Sequence, residues 1–212
     1  METRIESEVR RALGGAAAIS AGSEEGETLA SWLAERAGGE GLLDIAYAAV
    51  DTPLGVATVA ATDHGLIRVM LPNEDRDRSL ERLAREVSPR ILEAPGQVDA
   101  PRRELDEYFA GRRRAFDLGL DLRLVHAAFY RQVLEALRKV RFGETLTYGE
   151  IAARAGNPRA HRAAGTAVGT NPLPIVVPCH RVVRAGGELG NYGGGPEMKR
   201  FLLELEGALP LS

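Results

Sequence analysis

The chain has 212 residues, enough for one large domain or two small ones with real cores, and its changing texture favours two. Met1-Glu2-Thr3-Arg4 leads into no long apolar stretch, Ala16-Ala17-Ala18-Ile19 is too short for a signal-peptide core, and a single cysteine allows no internal disulfide; a cytoplasmic protein with no membrane partner is expected. The net charge of −3 hides an asymmetry, 10 basic and 18 acidic residues in the first hundred against 17 and 12 in the rest, which excludes a strongly basic nucleic-acid binder but leaves room for a small phosphate footprint in the second half.

Residues 1–44 read as an extension. Ile5, Val9 and Leu13 recur at helical spacing, Ala21 to Glu27 form an acidic linker, and Leu29, Trp32 and Leu33 follow a capping residue at Thr28. From residue 45 the pattern turns strand-like in three runs, Ile45 to Val50, Leu54 to Ala61 and Leu66 to Leu71, separated by Thr52-Pro53 and Asp63-His64-Gly65; an antiparallel meander is expected. Helices are expected over Asp75 to Val87 and Arg102 to Ala110, and a half-buried strand where Phe116, Leu118, Leu120 and Leu122 alternate. Residues 45–124 therefore read as an α+β domain.

Residues 125–212 read as a second, mostly helical domain. Phe129, Val133, Leu137 and Val140 share one helical face that stops at Gly143. Thr147-Tyr148-Gly149-Glu150 is a capping box, Gly156 ends the helix it starts, and Asn157-Pro158 begins another at once, so the segment reads as a helix-turn-helix. A last helix from Pro196 to Glu206 buries Met198, Phe201, Leu202 and Leu205 and ends at Gly207.

The second helix of the pair, Arg159-Ala160-His161-Arg162-Ala163-Ala164-Gly165, is nearly bare. A bare helix packs closely inside a protein or enters the narrow minor groove of DNA, where readout is degenerate. The one cysteine stands in Ile175-Val176-Val177-Pro178-Cys179-His180-Arg181, read as a short buried strand that Pro178 ends. By residue type alone a free cysteine is a small buried hydrophobe. A histidine and an arginine immediately after it suggest a nucleophile instead.

This Pro-Cys-His-Arg run resembles the active-site signature of the O6-alkylguanine-DNA alkyltransferases, the methylated-DNA-protein-cysteine methyltransferases. The resemblance continues, in order and spacing, through Asn157-Pro158-Arg159-Ala160-His161-Arg162-Ala163, Asn171-Pro172-Leu173-Pro174, Asn191-Tyr192-Gly193-Gly194 and Glu206-Gly207. It is detailed from Phe129 to Gly207, looser from Ile45 to Arg123, and absent before that. It implies direct-reversal repair of double-stranded DNA by a monomer that moves an alkyl group from O6 of guanine, less readily from O4 of thymine, to Cys179. The resemblance further implies a water between the thiol and His180, with Glu206 holding the other ring nitrogen, so that the three serve as nucleophile, base and orienter. The lesion oxygen is unreachable inside the stack, so the nucleotide must be extruded. The resemblance gives Arg162 the place it vacates, puts Tyr148 against the extruded nucleotide, and lets Ala160, Ala163 and Gly165 approach the groove. It also makes Asn171 the tie of the turn before the cysteine and sets Val182, Tyr192, Gly193 and Gly194 around the lesion pocket; Lys199 matches a lysine near that pocket and reads equally well as a solvated helix lysine.

Three positions depart from the pattern: Gly193 stands where several relatives have serine, His161 where a small residue is common, and Gly169 where some have arginine. A lone cysteine also rules out the cysteine-rich zinc site of some members, so no metal is expected. With no second cysteine to resolve the thioether and no cofactor motif, the protein should act once, as a single-turnover enzyme. A non-reactive lesion binder would lack Cys179, and a cysteine hydrolase would carry a signature such as Gly-x-Cys-x-Gly, which is absent.

Overall fold

The computed structural model describes residues 41–209 together with Trp32 and Arg36, so most of the expected N-terminal extension lies outside the described residues. Trp32 and Arg36 are helical, with the guanidinium 5.8 Å from the indole centroid.

Three strands, β1 (Ile45–Thr52), β2 (Gly55–Thr62) and β3 (Gly65–Met70), form the expected antiparallel meander. A short fourth strand was not expected. β4 (Ile91–Glu93) pairs parallel with β1, giving the order β3-β2-β1-β4, so the sheet is mixed at one edge. Period-two burial splits the sheet between two cores. Ala46, Ala48, Val50, Val59 and Val69 face the main core, while Ile45, Ala60 and Ile67 pack with Leu80 and Leu83 of α1 (Arg76–Glu86) and with its C-cap Val87; Ile67 and Val69 belong to different cores because a bulge opposite Ala60 and Ala61 shifts the alternation in β3. Asp75 caps that helix through Arg78 N at 3.0 Å.

α2 (Asp99–Phe109) sends Leu105 and Tyr108 into the main core. The strand expected over 116–122 is reduced to a single bridge between Leu66 and Leu120, because the Glu104 carboxylate takes the N–H of Asp117 at 2.9 Å in place of a neighbouring strand.

The second half begins with α3 (Ala128–Arg138), followed by α4 (Tyr148–Arg154) and α5 (His161–Gly169), which pack on one another, and α6 (Gly195–Leu205). Both hydrogen bonds of the Thr147–Glu150 capping box form, and Gly156 adopts φ +86° in the turn after α4. α5 starts later than expected. Asn157 to Ala160 close a separate turn through Ala160 N to Asn157 O at 3.0 Å, leaving Ala160 as a cap without a side-chain bond and Arg162 in the first helical turn. The main core runs without a break from the sheet to α6.

Candidate active site

Residues 171–183 set the geometry. The expected strand over Ile175 to Val177 does not form: prolines at 172, 174 and 178 interrupt the backbone on both sides of it, and its own N–H groups close local turns, Val176 N to Pro174 O and Val177 N to Leu173 O. Asn171 holds this knot. Its Nδ2 donates to Val177 O at 2.9 Å and its Oδ1 accepts Leu173 N at 3.0 Å. Buried Ile175 has φ +73°, a left-handed conformation that a β-branched residue rarely adopts and that the surrounding bonds impose. Cys179, His180 and Arg181 then form a 3-10 turn, and the strand follows the cysteine instead of preceding it. That strand, β6 (Val182–Val183), pairs parallel with β5 (Leu146–Thr147), which places Tyr148 at the start of α4 beside the cysteine turn.

Glu206, the C-cap of α6, is the hub of a buried cluster. His180 Nε2 lies 2.9 Å from its Oε1, Tyr108 OH donates to the same oxygen at 2.7 Å, and Arg181 donates from Nη2 to Oε1 and from Nε to Oε2, each at 2.8 Å. Gly143 N adds a longer bond to Oε2 at 3.3 Å, and Arg181 Nη1 reaches Val140 O at 2.6 Å. Burial alone would raise the Glu206 pKa, but the bonds from His180 and Arg181 outweigh it and bring the carboxyl down to about 2. An ionised carboxylate only accepts, so His180 Nε2 carries the proton. Nδ1 is then the basic nitrogen, and it is buried with no hydrogen-bond partner among the described residues.

Burial pushes the Cys179 thiol up to about 11, against an opposing hydrogen bond from Asn171 and the charge of Lys199. Burial also holds the His180 imidazole below its usual value, in spite of Glu206. The resting pair is thus a neutral thiol beside a neutral base. Lys199 is wholly buried, not a solvated helix lysine; its Nζ donates to Val182 O at 2.5 Å, and burial lowers its pKa to about 8.

Cys179, Asn171, Pro174, Tyr192 and Gly193 line a cleft of about 850 Å³ together with residues of the first half that include Arg68, Leu71 and Arg78. Tyr192 also packs edge-on to the His180 ring at 6.3 Å. A Cβ on Gly194 would lie 2.1 Å from Met198 Sδ and 2.8 Å from the Tyr192 ring. Tyr148 is half-buried, and burial raises its hydroxyl pKa against the opposing charge of Arg184.

The internal-packing reading of the bare helix holds for one of its sides. Ala164, Ala167 and Val168 are buried, and a Cβ on Gly165 would touch the Tyr148 ring at 3.7 Å, so that side is small for internal packing. Ala160 and Ala163 are half-buried, while His161, Arg162, Thr166 and Gly169 face outward. Sequence reasoning missed Tyr108 and gave Arg181 no role. Tyr108 falls in the apolar pattern of α2 and reads as core; the arginine of Pro-Cys-His-Arg was visible, but its partner was not.

A buried cysteine turn with a histidine–glutamate pair, opening on a cleft beside a helix-turn-helix, defines a nucleophilic cysteine site next to a nucleic-acid-binding element. Comparison with known proteins narrows this class. Residues 45–122 match the model of the 6-O-methylguanine DNA methyltransferase ribonuclease-like domain, and residues 128–208 match that of the DNA binding domain. The chain is 43% identical over 162 residues to a methylated-DNA–protein-cysteine methyltransferase of Mycolicibacterium paratuberculosis (76% of this chain, 92% of the relative), and 39% identical over 178 residues to that of Mus musculus (76% and 81%). It superposes on Mycobacterium tuberculosis OGT in complex with DNA with a TM-score of 0.66 at 39% identity, covering 76% of this chain and 92% of that one. The chain belongs to the 6-O-methylguanine DNA methyltransferase family.

Proposed function

We propose that this protein repairs alkylated double-stranded DNA by direct reversal, moving the alkyl group from O6 of guanine, and less readily from O4 of thymine, to Sγ of Cys179. The observation that carries the reading is the Glu206 carboxylate held on Nε2 of His180, which leaves the buried Nδ1, without a protein partner among the described residues, as the basic nitrogen one residue from the chain's only thiol. The thiol proton passes through a bridging water to Nδ1; the new S–C bond forms as the C–O6 bond breaks, and the guanine leaves with that electron pair and is reprotonated. Glu206 stabilises the imidazolium that forms, as an orienting carboxylate does in a triad.

The exposed first turn of α5 meets the minor groove. Arg162 fills the gap left by the extruded nucleotide, Ala160, Ala163 and Gly165 permit close approach, and Tyr148 directs its hydroxyl to the base. Asn171 and Lys199 brace the pocket through Val177 and Val182, while Tyr192 and Gly193 line it and Gly194 completes their turn. Residues 125–212 do the binding and transfer, residues 45–124 support them, and residues 1–44 are an extension. No helix among the described residues is long and apolar enough to cross a membrane, and a lone functional thiol suits the reducing cytoplasm.

The test is intact-protein mass after mixing with an oligonucleotide containing O6-methylguanine. Each molecule should gain one methyl in place of one proton, mapped to Cys179, and then stop; Cys179→Ser should gain nothing while still binding DNA. Turnover with released product, or an adduct on another residue, would overturn the reading.

A further inference from the structure

The two halves of the molecule meet at the cleft through a contact that the chemistry above does not use. Asn73, in the loop between β3 and α1, donates from Nδ2 to the carbonyl of Gly193 at 2.9 Å, across 120 residues of sequence. Its loop is braced on both sides. Glu74 N donates to Leu71 O at 2.9 Å, Glu74 Oε1 accepts Leu71 N at 3.0 Å, and Glu74 also pairs with Arg68. The strand before it, β3, bonds another part of the cleft lining through Val69 N to Pro172 O at 2.9 Å.

The acceptor belongs to an unusual turn. Gly195 N donates to Tyr192 O at 3.0 Å, so Gly193 and Gly194 are the two central residues of a β-turn, and Gly194 has φ −79° and ψ 0°, the values of a type I turn. A type II turn joins the same ends with the central peptide rotated by half a turn and needs φ near +80° at that position, which glycine adopts as readily. An ordinary residue at 194 would favour type I, but its Cβ has no room beside Met198 and Tyr192. The orientation of the central peptide is therefore not set by residue type. Since the peptide is planar and trans, holding the carbonyl of Gly193 also fixes the opposite direction of Gly194 N–H.

We propose that Asn73 is a positioning residue for alkyl transfer, locking the Gly193–Gly194 peptide so that the wall beside Tyr192 and Cys179 presents one fixed pattern of donors and acceptors to the base. The proposal rests on the alkyl-transfer reading of the cleft. Gly193 has no side chain of its own to hold the wall, which leaves the loop dependent on a donor from the other half of the molecule.

The experiment measures single-turnover reaction with the free base O6-benzylguanine, where DNA affinity plays no part. Asn73→Asp, isosteric but lacking the donor, and Asn73→Ala should both lower the saturating rate about five-fold, the scale of one hydrogen bond. Asn73→Gln, which keeps an amide donor, should recover part of the loss. The acid limb of the pH profile should be unchanged, and the amide signal of Gly194 in ¹⁵N spectra should split or broaden in the Asp and Ala variants. If the wild type does not alkylate Cys179 at all, the alkyl-transfer reading fails. If it does, and both donor-less variants react at its rate with an unaltered Gly194 signal, Asn73 has no positioning role.

Discussion

Glu206→Gln separates the structural and chemical duties of the buried carboxylate. The substitution keeps the shape but removes the charge that pairs with Arg181, itself buried against Val140 and Phe142. Leaving one member of a buried pair uncompensated costs about 3–5 kcal/mol, a large part of a typical ~5–15 kcal/mol of stability. Titration gives a similar size. A carboxyl held at about 2 in place of the ordinary 4.5 contributes on the order of 3 kcal/mol, present above the unfolded value and lost as the pH falls through about 2. Urea unfolding at neutral pH should thus show a lower midpoint in the variant, and the difference should shrink in acid. Transfer to Cys179 should slow by about 100-fold or more, because the imidazolium loses its counter-charge and an amide no longer dictates the Nε2–H tautomer. The double variant Arg181→Met, Glu206→Gln keeps the volume and removes both charges, so stability should return to within about 1–2 kcal/mol while transfer stays slow. A double variant that reacts at the wild-type rate would remove Glu206 from the chemistry. A single variant as stable as wild type would refute the buried-charge account.

Two further outcomes follow from the same geometry. Arg162→Ala should slow repair in duplex DNA far more than reaction with free benzylguanine; equal losses on both would mean that Arg162 supports the pocket, and a uniform loss of DNA affinity with the salt slope reduced by about one would mark a phosphate contact instead. Wild-type transfer should decline in acid as His180 takes up a proton, below the usual imidazole range because burial lowers its pKa; Tyr108→Phe frees Glu206 Oε1 from one donor, strengthens its hold on the imidazolium, and should move that decline to higher pH. An unmoved acid limb in Tyr108→Phe would confine Tyr108 to packing.

The parts legible in the sequence are those governed by local rules. Asp75 and Val87 bound α1 as read, the Thr147 capping box forms, and Gly207 with φ +72° stops the last helix after Glu206. The misreadings arise where backbone partners come from afar. Three β-branched or apolar residues before Pro178 look like a strand, yet Asn171 and the flanking prolines bend them into turns; Phe116 to Leu122 alternates like a strand, yet the Glu104 carboxylate takes the donor that a neighbour would need.

The same distinction explains how the site was read. Cys179, His180 and Glu206 carry their chemistry in their residue types, so they could be picked out one by one. What makes them work together is the number of donors converging on one carboxylate. Five hydrogen bonds, from His180, Tyr108, Arg181 twice and Gly143, hold Glu206 ionised in a place where burial favours its neutral form. Only an ionised Glu206 assigns the Nε2 proton and frees Nδ1 for the thiol. Tyr108 comes from the sheet domain, 98 residues away in sequence, and no local periodicity marks it as anything but core. The supporting half of the chain therefore reaches the chemistry through the orienting carboxylate, and the state of the nucleophile depends on how the two halves pack.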